Sequence, residues 1–181
     1  MWRQYWVTKK REGNIGKRNK KICLDVAGFG FIFYSPFSTE FIQHGEDYFE
    51  TTFSDPAVVE KQATEGRIVG VSTGTPGRFF LEIFKGYPEQ TTLERHIFKL
   101  RLGVEVRDRT LCIRDLFDLL NWDAECPREQ MIDIDDGFYH LTLLSNEPES
   151  GVLGDDQVVQ LYLQELPEMP RLKYSGVPTL C

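Results

Sequence analysis

The sequence predicts a mainly β protein: a β-rich α+β domain built as an antiparallel sandwich or barrel-like sheet, with two or three short helices. Three observations predict this class. Apolar residues alternate with charged residues and Gly103 along residues 98–106, which is typical of a half-buried strand. Several other runs rich in β-branched and aromatic residues end at Gly, Pro or Asp. Strands and helices do not alternate regularly, which argues against a parallel α/β fold.

The first 35 residues are predicted to contain strands separated by a basic loop. Residues 2–8 (WRQYWVT) have the composition of a short strand, and residues 9–21 are rich in Lys and Arg. The run over 21–35 is β-branched and aromatic and is predicted to be strand. Gly28 and Gly30 within it indicate a bulge or a close approach of another backbone segment.

The next segment is predicted to contain two helices and one strand. Ser38 is a suitable N-cap for a short helix over 39–43. Residues 47–53 (DYFETTF) have the composition of a strand. Residues 56–65 (PAVVEKQATE) have helical spacing, with Pro in the first turn and Gly66 after the last.

Two hairpins are predicted from turns that contain glycine. The sequence Thr-Gly-Thr-Pro-Gly at 73–77 separates the strands of the first. Asp136-Gly137 separates those of the second, since glycine tolerates the positive φ of a tight turn. The four predicted strands are residues 67–72, 78–84, 131–135 and 138–144.

The second half is also predicted to contain a long extended run, a helix and a last strand. Residues 92–106 are predicted to be extended, and the leucine spacing over 114–122 predicts a short helix. Residues 157–166 (QVVQLYLQEL) form the last predicted strand, and the prolines of 167–181 indicate an irregular tail. The length suits a single domain over residues 1–181.

Composition favours a cytosolic protein. The chain is 41% hydrophobic and 13% aromatic, so it can bury a core without metal or disulfides. No apolar run approaches the ~20 residues that cross a membrane, and residues 1–21 do not resemble a secretory signal. The four cysteines show no CxxC spacing and are predicted to be free thiols in a reducing compartment. They are Cys23, Cys112, Cys126 and Cys181.

Charge is distributed unevenly around the net −7. Residues 1–21 carry eight bases and one acid, whereas residues 115–168 carry fourteen acids and only Arg128 as a base. Such an acidic region repels nucleic acid and anionic membrane and attracts basic partners. We therefore predict neither nucleic acid nor membrane as a partner.

The candidate catalytic and metal motifs are incomplete. The glycine-rich sequence at 70–77 (GVSTGTPG) lacks the Lys-Ser or Lys-Thr of a phosphate-binding loop, so a turn is the better interpretation. Residues 133–137 are similar to a calcium loop, but its glycine comes one position early and Leu144 stands where the final Glu is needed. The three histidines lack zinc spacing. We predict no metal, no cofactor and no enzymatic activity.

Three segments of the second half form a common pattern: the alternating strand and helix of 98–122, the acidic segment MIDIDDGFYHLTLL at 131–144, and the Gln- and Leu-rich strand VVQLYLQELP at 158–167. This pattern resembles a family of small bacterial immunity and inhibitor proteins, the competence-protein-J type, which restrains a partner DNA nuclease. The resemblance covers roughly the C-terminal half and carries no catalytic motif. It implies a non-enzymatic, β-rich, cytosolic inhibitor.

The leading hypothesis is an immunity protein that neutralises a bacterial toxin, most simply a basic nuclease, by occluding its active site with acidic side chains. Acids beside an aromatic anchor can form an interaction hot spot. The predicted contact residues are Asp118, Trp122, Asp133, Asp135, Asp136, Glu147, Glu149, Asp155 and Asp156. One alternative is a small enzyme with a site built from His96, His140 or Cys112. Another is an assembly subunit that uses exposed strand edges.

Overall fold

Two packed β-sheets form the body of the protein, as the computed structural model, which describes residues 20–174 and 177–180, shows. One sheet has five strands in the order β1-β4-β9-β8-β5, and the other has four in the order β3-β2-β6-β7. The strands are β1 Lys20–Val26, β2 Gly30–Tyr34, β3 Ile68–Ser72, β4 Gly77–Lys85, β5 Phe98–Val106, β6 Thr110–Asp115, β7 Met131–Asp133, β8 Gly137–Ser145 and β9 Gln157–Leu166.

The predicted fold class is confirmed, in its sandwich form. Neither sheet closes on itself, so the barrel alternative is wrong for the described residues. All neighbouring strands are antiparallel except β4 and β9, which pair in parallel with Phe79 opposite Gln157. The predicted strands over 98–106 and 157–166 are β5 and β9.

The main core lies between the two sheets. Alternate residues of each strand face inward, as the period of a half-buried strand requires. Phe31 and Phe33 of β2 meet edge to face at 5.5 Å, and Phe31 also contacts Phe79 of β4 at 6.1 Å. Leu161 of β9 and Leu141 of β8 are fully buried on the opposite side.

A second core covers the outer face of the four-stranded sheet. There, helix α1 (Pro56–Glu65) and three short helical turns pack on residues such as Ile32 and Ile68. Helix α1 confirms its prediction: the Asp55 carboxylate accepts from the Ala57 N–H at 2.8 Å, and Gly66 ends the helix with φ of 66°. The other turns are Pro36–Thr39, Phe49–Phe53 and Leu116–Leu120.

Four predictions on single elements need correction. Residues 47–53 are not a strand, because Phe49–Phe53 forms a π-helical turn that packs Phe53 into the second core. The helix expected over 39–43 lies earlier, as a 3₁₀ turn at Pro36–Thr39, and the one expected over 114–122 is a 3₁₀ turn at Leu116–Leu120. The predicted extended run over 92–106 begins inside α2 (Gln90–Arg95).

Both predicted hairpins are wrong, because their turns carry the chain from one sheet to the other. β3 pairs with β2 while β4 pairs with β1 and β9, so the turn at 73–76 joins strands of different sheets. The turn at 134–136 likewise joins β7 to β8. Residues 27–29 and 107–109 make the same kind of crossing.

These crossings define two ends of the sandwich. The strand registers place the turns 107–109 and 134–136 beside the last residues of β4 and β9, at what we call the lower end. The turns 27–29 and 73–76 and the loop 146–156 lie at the upper end. Residues 21–35 are therefore two strands, not one run. A Cβ on Gly30 would lie 2.3 Å from the Val71 carbonyl oxygen, which confirms the predicted close approach.

The irregular tail lies along both sheets. Thr179 forms a parallel bridge with Ser72 at the edge of β3, and Pro170 lies over Gly103 of β5. The predicted N-terminal strand and most of the basic loop, residues 1–19, lie outside the described residues. Among the helices of the described ranges, none has the length and apolarity needed to cross a membrane.

Candidate binding cleft at the lower end of the sandwich

A cleft of about 560 Å³ opens at the lower end, between the ends of β4 and β9 on one side and β7 on the other. A volume of this size suits a small ligand or an inserted side chain of a partner. We call this feature the end cleft. Its lining residues are Ile83, Lys85, Gly86, Arg109, Ile132, Asp133, Ile134, Asp135, Tyr139, Leu163, Gln164 and Glu165.

The end cleft exists because the two sheets differ in extent. β7 has only three residues, whereas β4 and β9, which it faces, have nine and ten. The inner faces of the longer strands are therefore covered less closely at this end, although Ile83 and Leu163 are only 8% and 5% exposed. Ile83, Leu163 and Ile132, which belong to the main core, form an apolar floor beneath the opening.

Tyr139 fixes the turn that forms one wall of the end cleft. Its hydroxyl donates a hydrogen bond to the Asp135 carbonyl oxygen at 2.8 Å. Burial, and secondly the negative charge of Glu165, raise the pKa of Tyr139 to about 12. The phenol is therefore neutral near pH 7 and serves as a donor that holds the turn in place.

The rim of the end cleft carries charges of both signs. Arg128 binds the Asp133 carboxylate with two hydrogen bonds, at 3.0 and 2.7 Å, and this interaction lowers the pKa of Asp133. Arg109 reaches Asp135 at 3.4 Å, and its backbone N–H donates to the Asp136 carboxylate at 2.7 Å. These ion pairs are exposed, so water and salt weaken them and an incoming charged partner can compete for either member.

The other predicted acids lie at the upper end. Glu147, Glu149, Asp155 and Asp156 are exposed on the loop 146–156. Arg78 lies between two carboxylates, 3.9 Å from that of Asp156 and 3.0 Å from that of Asp25. β9 separates this loop from the end cleft, and a ten-residue strand is about 30 Å long. The predicted contact residues therefore do not form one surface.

Asp118 and Trp122 belong to a third place, the second core outside the four-stranded sheet. The Asp118 carboxylate accepts from Arg114 at 2.7 Å. Trp122 is 0% exposed and packs edge to face on Tyr34 at 5.4 Å. The prediction that Trp122 is an exposed anchor is wrong, because tertiary packing covers the ring.

The residues of the enzyme alternative do not come together. His140 lies on the outer face of the five-stranded sheet, where its Nδ1 is 2.8 Å from the Tyr87 hydroxyl. His96 Nδ1 is 2.7 Å from the Thr92 carbonyl oxygen at the end of α2. Cys112 is buried on the outer face of the other sheet. Within the described residues, no three His, Cys, Asp or Glu side chains are grouped as a metal site.

Several residues of the end cleft had no signal in the sequence. Leu163 and Ile83 alternate as core residues do, and nothing in that pattern indicates that they lie beneath an opening. Glu165 and Lys85 look like ordinary surface charges at strand ends. Only the order of strands in the two sheets brings them beside Asp133 and Asp135.

Comparison with known proteins identifies structures of similar fold but does not assign the chain to a family. No family model and no curated protein matches the sequence. Two solved structures share the two-sheet fold. ComJ from Bacillus subtilis, described as an inhibitor of the DNA-degrading activity of NucA, superposes with a TM-score of 0.52 at 14% identity, over 81% of this chain and 96% of ComJ.

The second similar structure is described as crocagin biosynthetic gene J. It superposes with a TM-score of 0.50 at 10% identity, over 80% of this chain and 96% of its own. At such identities the comparison establishes a common fold. The resemblance to the competence-protein-J type is confirmed at this level, and it extends well beyond the C-terminal half.

Proposed function

We propose that this protein is an inhibitor that binds a partner nuclease and blocks its action on DNA. The observation that carries the proposal is the fold shared with ComJ, a nuclease inhibitor, over 81% of this chain and 96% of ComJ. The absence of a convergent catalytic constellation among His96, His140 and Cys112 supports binding over catalysis.

The end cleft is the best-suited contact surface. It combines an apolar floor with a charged rim, the arrangement found where a partner's side chain inserts and surrounding polar groups exclude water. The floor residues Ile83 and Leu163 are part of the rigid core, so the site is formed before the partner arrives. Such preorganisation lowers the entropy cost of binding.

The rim favours a basic segment of the nuclease. Asp133, Asp135 and Glu165 present carboxylates around the floor, and Asp136 lies next to them. Arg and Lys side chains that otherwise contact DNA phosphates can bind these carboxylates, with the body of the protein then occupying the DNA groove. The acids of the loop 146–156, about 30 Å away, contribute to the approach of a basic partner rather than to the contact itself.

The test starts from the nuclease itself. Immobilised protein is used to capture the enzyme from a lysate of the source cells, and the captured enzyme is purified separately. Plasmid degradation is then followed while the protein is titrated in. The expected result is stoichiometric loss of nuclease activity with wild-type protein.

Matched variants locate the contact. Asp135→Asn with Glu165→Gln removes two charges at the end cleft and is expected to weaken inhibition about tenfold, a typical loss for two interfacial charges. Glu147→Gln with Glu149→Gln removes the same charge at the upper end and should change the inhibition constant little. Equal effects of the two pairs would contradict the end-cleft assignment. A captured nuclease that remains fully active would contradict inhibition altogether.

A further inference from the structure

The outer strand β5 leaves part of one side without a partner. β5 is the last strand of the five-stranded sheet, and among the described strands it pairs only with β8. Its free side is closed towards the lower end, where the Glu105 N–H donates to the Gly66 carbonyl oxygen at 2.9 Å. Residues 98–102, which we call the β5 edge, have no comparable backbone contact on this side within the described ranges.

The course of the backbone fixes which groups face outward at the β5 edge. In an antiparallel pair, alternate residues of a strand direct their N–H and carbonyl groups to the partner and away from it. Glu105 directs its N–H away from β8, and the register of β5 with β8 is unbroken, so Lys99 and Arg101 do the same. Both residues are exposed. Two N–H and two carbonyl groups are therefore accessible to an added strand.

The side chains of the β5 edge are apolar on one face and cationic on the other. Phe98 and Leu100 pack against the main core but are only partly buried. Lys99 and Arg101 alternate with them on the outer face, and neither forms an ion pair with a described residue. Arg101 donates through Nε to the Thr142 hydroxyl at 3.1 Å, which leaves its two terminal nitrogens for a ligand.

Neighbouring residues limit the length of the β5 edge. Ile97 precedes it and is 70% exposed. Pro170 lies over Gly103 on its other side, where a Cβ on Gly103 would be 2.6 Å from the Pro170 Cγ. The five residues between them span about 16 Å, which is the length of a short strand.

We infer that the β5 edge accepts an extended acidic segment of a partner protein as an antiparallel sixth strand of the sheet. The segment bonds the free main-chain groups of Lys99 and Arg101, a mode of recognition in which backbone bonds give affinity and alternate side chains give specificity. Its apolar residues cover Phe98 and Leu100, while Asp or Glu at the alternate positions faces the two cations. The favoured pattern is therefore apolar-acidic-apolar-acidic-apolar.

The charges of the β5 edge select an acidic segment over a second copy of this chain. Two β5 edges paired with each other would place the cations of one copy against those of the other, and like charges on paired strands are destabilising. Lysine on edge strands guards against such self-pairing. An acidic segment instead supplies the carboxylates that Lys99 and Arg101 lack among the described residues.

The inference does not rest on nuclease inhibition and is tested without a natural partner. The full-length protein is titrated with three capped peptides, and binding is followed by NMR. The first peptide is Val-Glu-Val-Glu-Val and the second is Val-Lys-Val-Lys-Val. The third is the first with N-methyl groups on its two Glu nitrogens, which face β5 in antiparallel pairing and then cannot donate.

The first peptide should bind and slow amide exchange at Lys99 and Arg101 about tenfold or more at saturation, since their amides become hydrogen-bonded. The second and third should bind about tenfold more weakly or not at all. Equal binding of the first two peptides would overturn the role of charge. Full binding of the methylated peptide, or slowed exchange at another strand and not at β5, would overturn strand addition at the β5 edge.

Matched variants locate the contact. Lys99→Gln with Arg101→Gln should weaken binding of the first peptide about threefold to tenfold, the loss expected for two exposed ion pairs. Lys21→Gln with Arg78→Gln removes the same charge from β1 and β4, on the opposite side of the same sheet, and should leave the affinity unchanged. Equal weakening by the two pairs would overturn the assignment. The exchange data on the wild-type protein decide the matter should a variant not fold.

Discussion

Mutation of Trp122 distinguishes two roles for this residue. The sequence predicts an anchor that contacts a partner, whereas the structure places the side chain in the core. The ring is fully buried, packs edge to face on Tyr34, and has the Arg114 guanidinium 5.1 Å from its centroid. Trp122→Ala therefore removes a large buried side chain rather than an interface contact. Truncations of buried Trp or Phe to Ala cost about 3–5 kcal/mol in the free energy of unfolding.

That cost is large enough to measure in urea. With a slope of about 2 kcal/mol per M, the unfolding midpoint should fall by about 2 M, and Tm by about 10 °C. Trp122→Phe is the matched control: it keeps an aromatic contact with Tyr34 and removes the indole Nε1–H, which has no hydrogen-bond partner among the described residues. Its expected cost is about 1 kcal/mol.

Binding measurements complete the comparison. Below the transition of each variant, affinity for the captured nuclease should be unchanged, since the buried ring makes no contact with a partner. A Trp122→Ala protein with wild-type unfolding midpoint and lost binding would refute the buried placement. It would restore the exposed anchor that the sequence predicts.

Two further predictions concern a capping carboxylate and a surface histidine. Asp115 accepts hydrogen bonds from the N–H groups of Ala27, Gly28 and Phe117 at 2.5, 3.0 and 3.0 Å. Asp115→Ala should therefore lower the free energy of unfolding, measured by urea titration, by about 2–3 kcal/mol. Asp115→Asn should lower it by less. A midpoint unchanged in Asp115→Ala would show that water replaces these bonds. Burial, and secondly the charge of Arg101, lower the pKa of His140 below its ordinary value of about 6.5. The unfolded chain therefore takes up the proton first, and the folded protein loses stability as pH falls below about 6.5. An NMR titration of His140 measures the pKa in the folded protein, and Arg101→Gln should raise that pKa part of the way towards its ordinary value. A His140 pKa at or above about 6.5 in the wild-type protein would contradict the prediction.

The elements with strong local signals were predictable. β5 and β9 follow from alternation, and α1 from helical spacing with Pro at its start and Gly66 at its end. The short helical turn at 49–53 was not, because Tyr48 and Phe53 suit a strand as well as a helix and only packing in the second core decides. β propensity largely reflects how well a residue fits a half-buried surface. A short amphipathic turn also has a half-buried surface, so the same residues suit both structures.

Which strands pair was not predictable from the turns. Thr-Gly-Thr-Pro-Gly and Asp136-Gly137 reverse the chain whether the next strand joins the same sheet or the opposite one. The sequence on either side of each turn alternates in both cases. What distinguishes a crossing from a hairpin is the partner of each strand, as when Ser72 pairs with Gly30 and Gly77 with Val26.

Only part of the candidate site was predictable, because strand pairing decides which residues come together there. The acids Asp133, Asp135 and Asp136 were identified by composition, and they lie at or beside the end cleft. Their apolar floor and Glu165 were not identified, since these come from strands that the sequence places elsewhere. Trp122 was misassigned because an aromatic residue in an acidic segment fits both an interface and a core.

The course of β8 explains why one acidic segment of the sequence becomes separate surfaces. β8 runs from the lower end of the sandwich to the upper end, so the turn before it and the loop after it emerge at opposite ends. Charges about 30 Å apart are screened from one another at physiological salt, where the Debye length is about 8 Å. Arg109 and Arg128 further offset the acids at the end cleft. For the proposed inhibitor, we therefore expect the net charge of the segment to have little bearing on affinity. We expect affinity to depend on the end cleft, where carboxylates surround an apolar floor and a single basic or aromatic side chain could contact both.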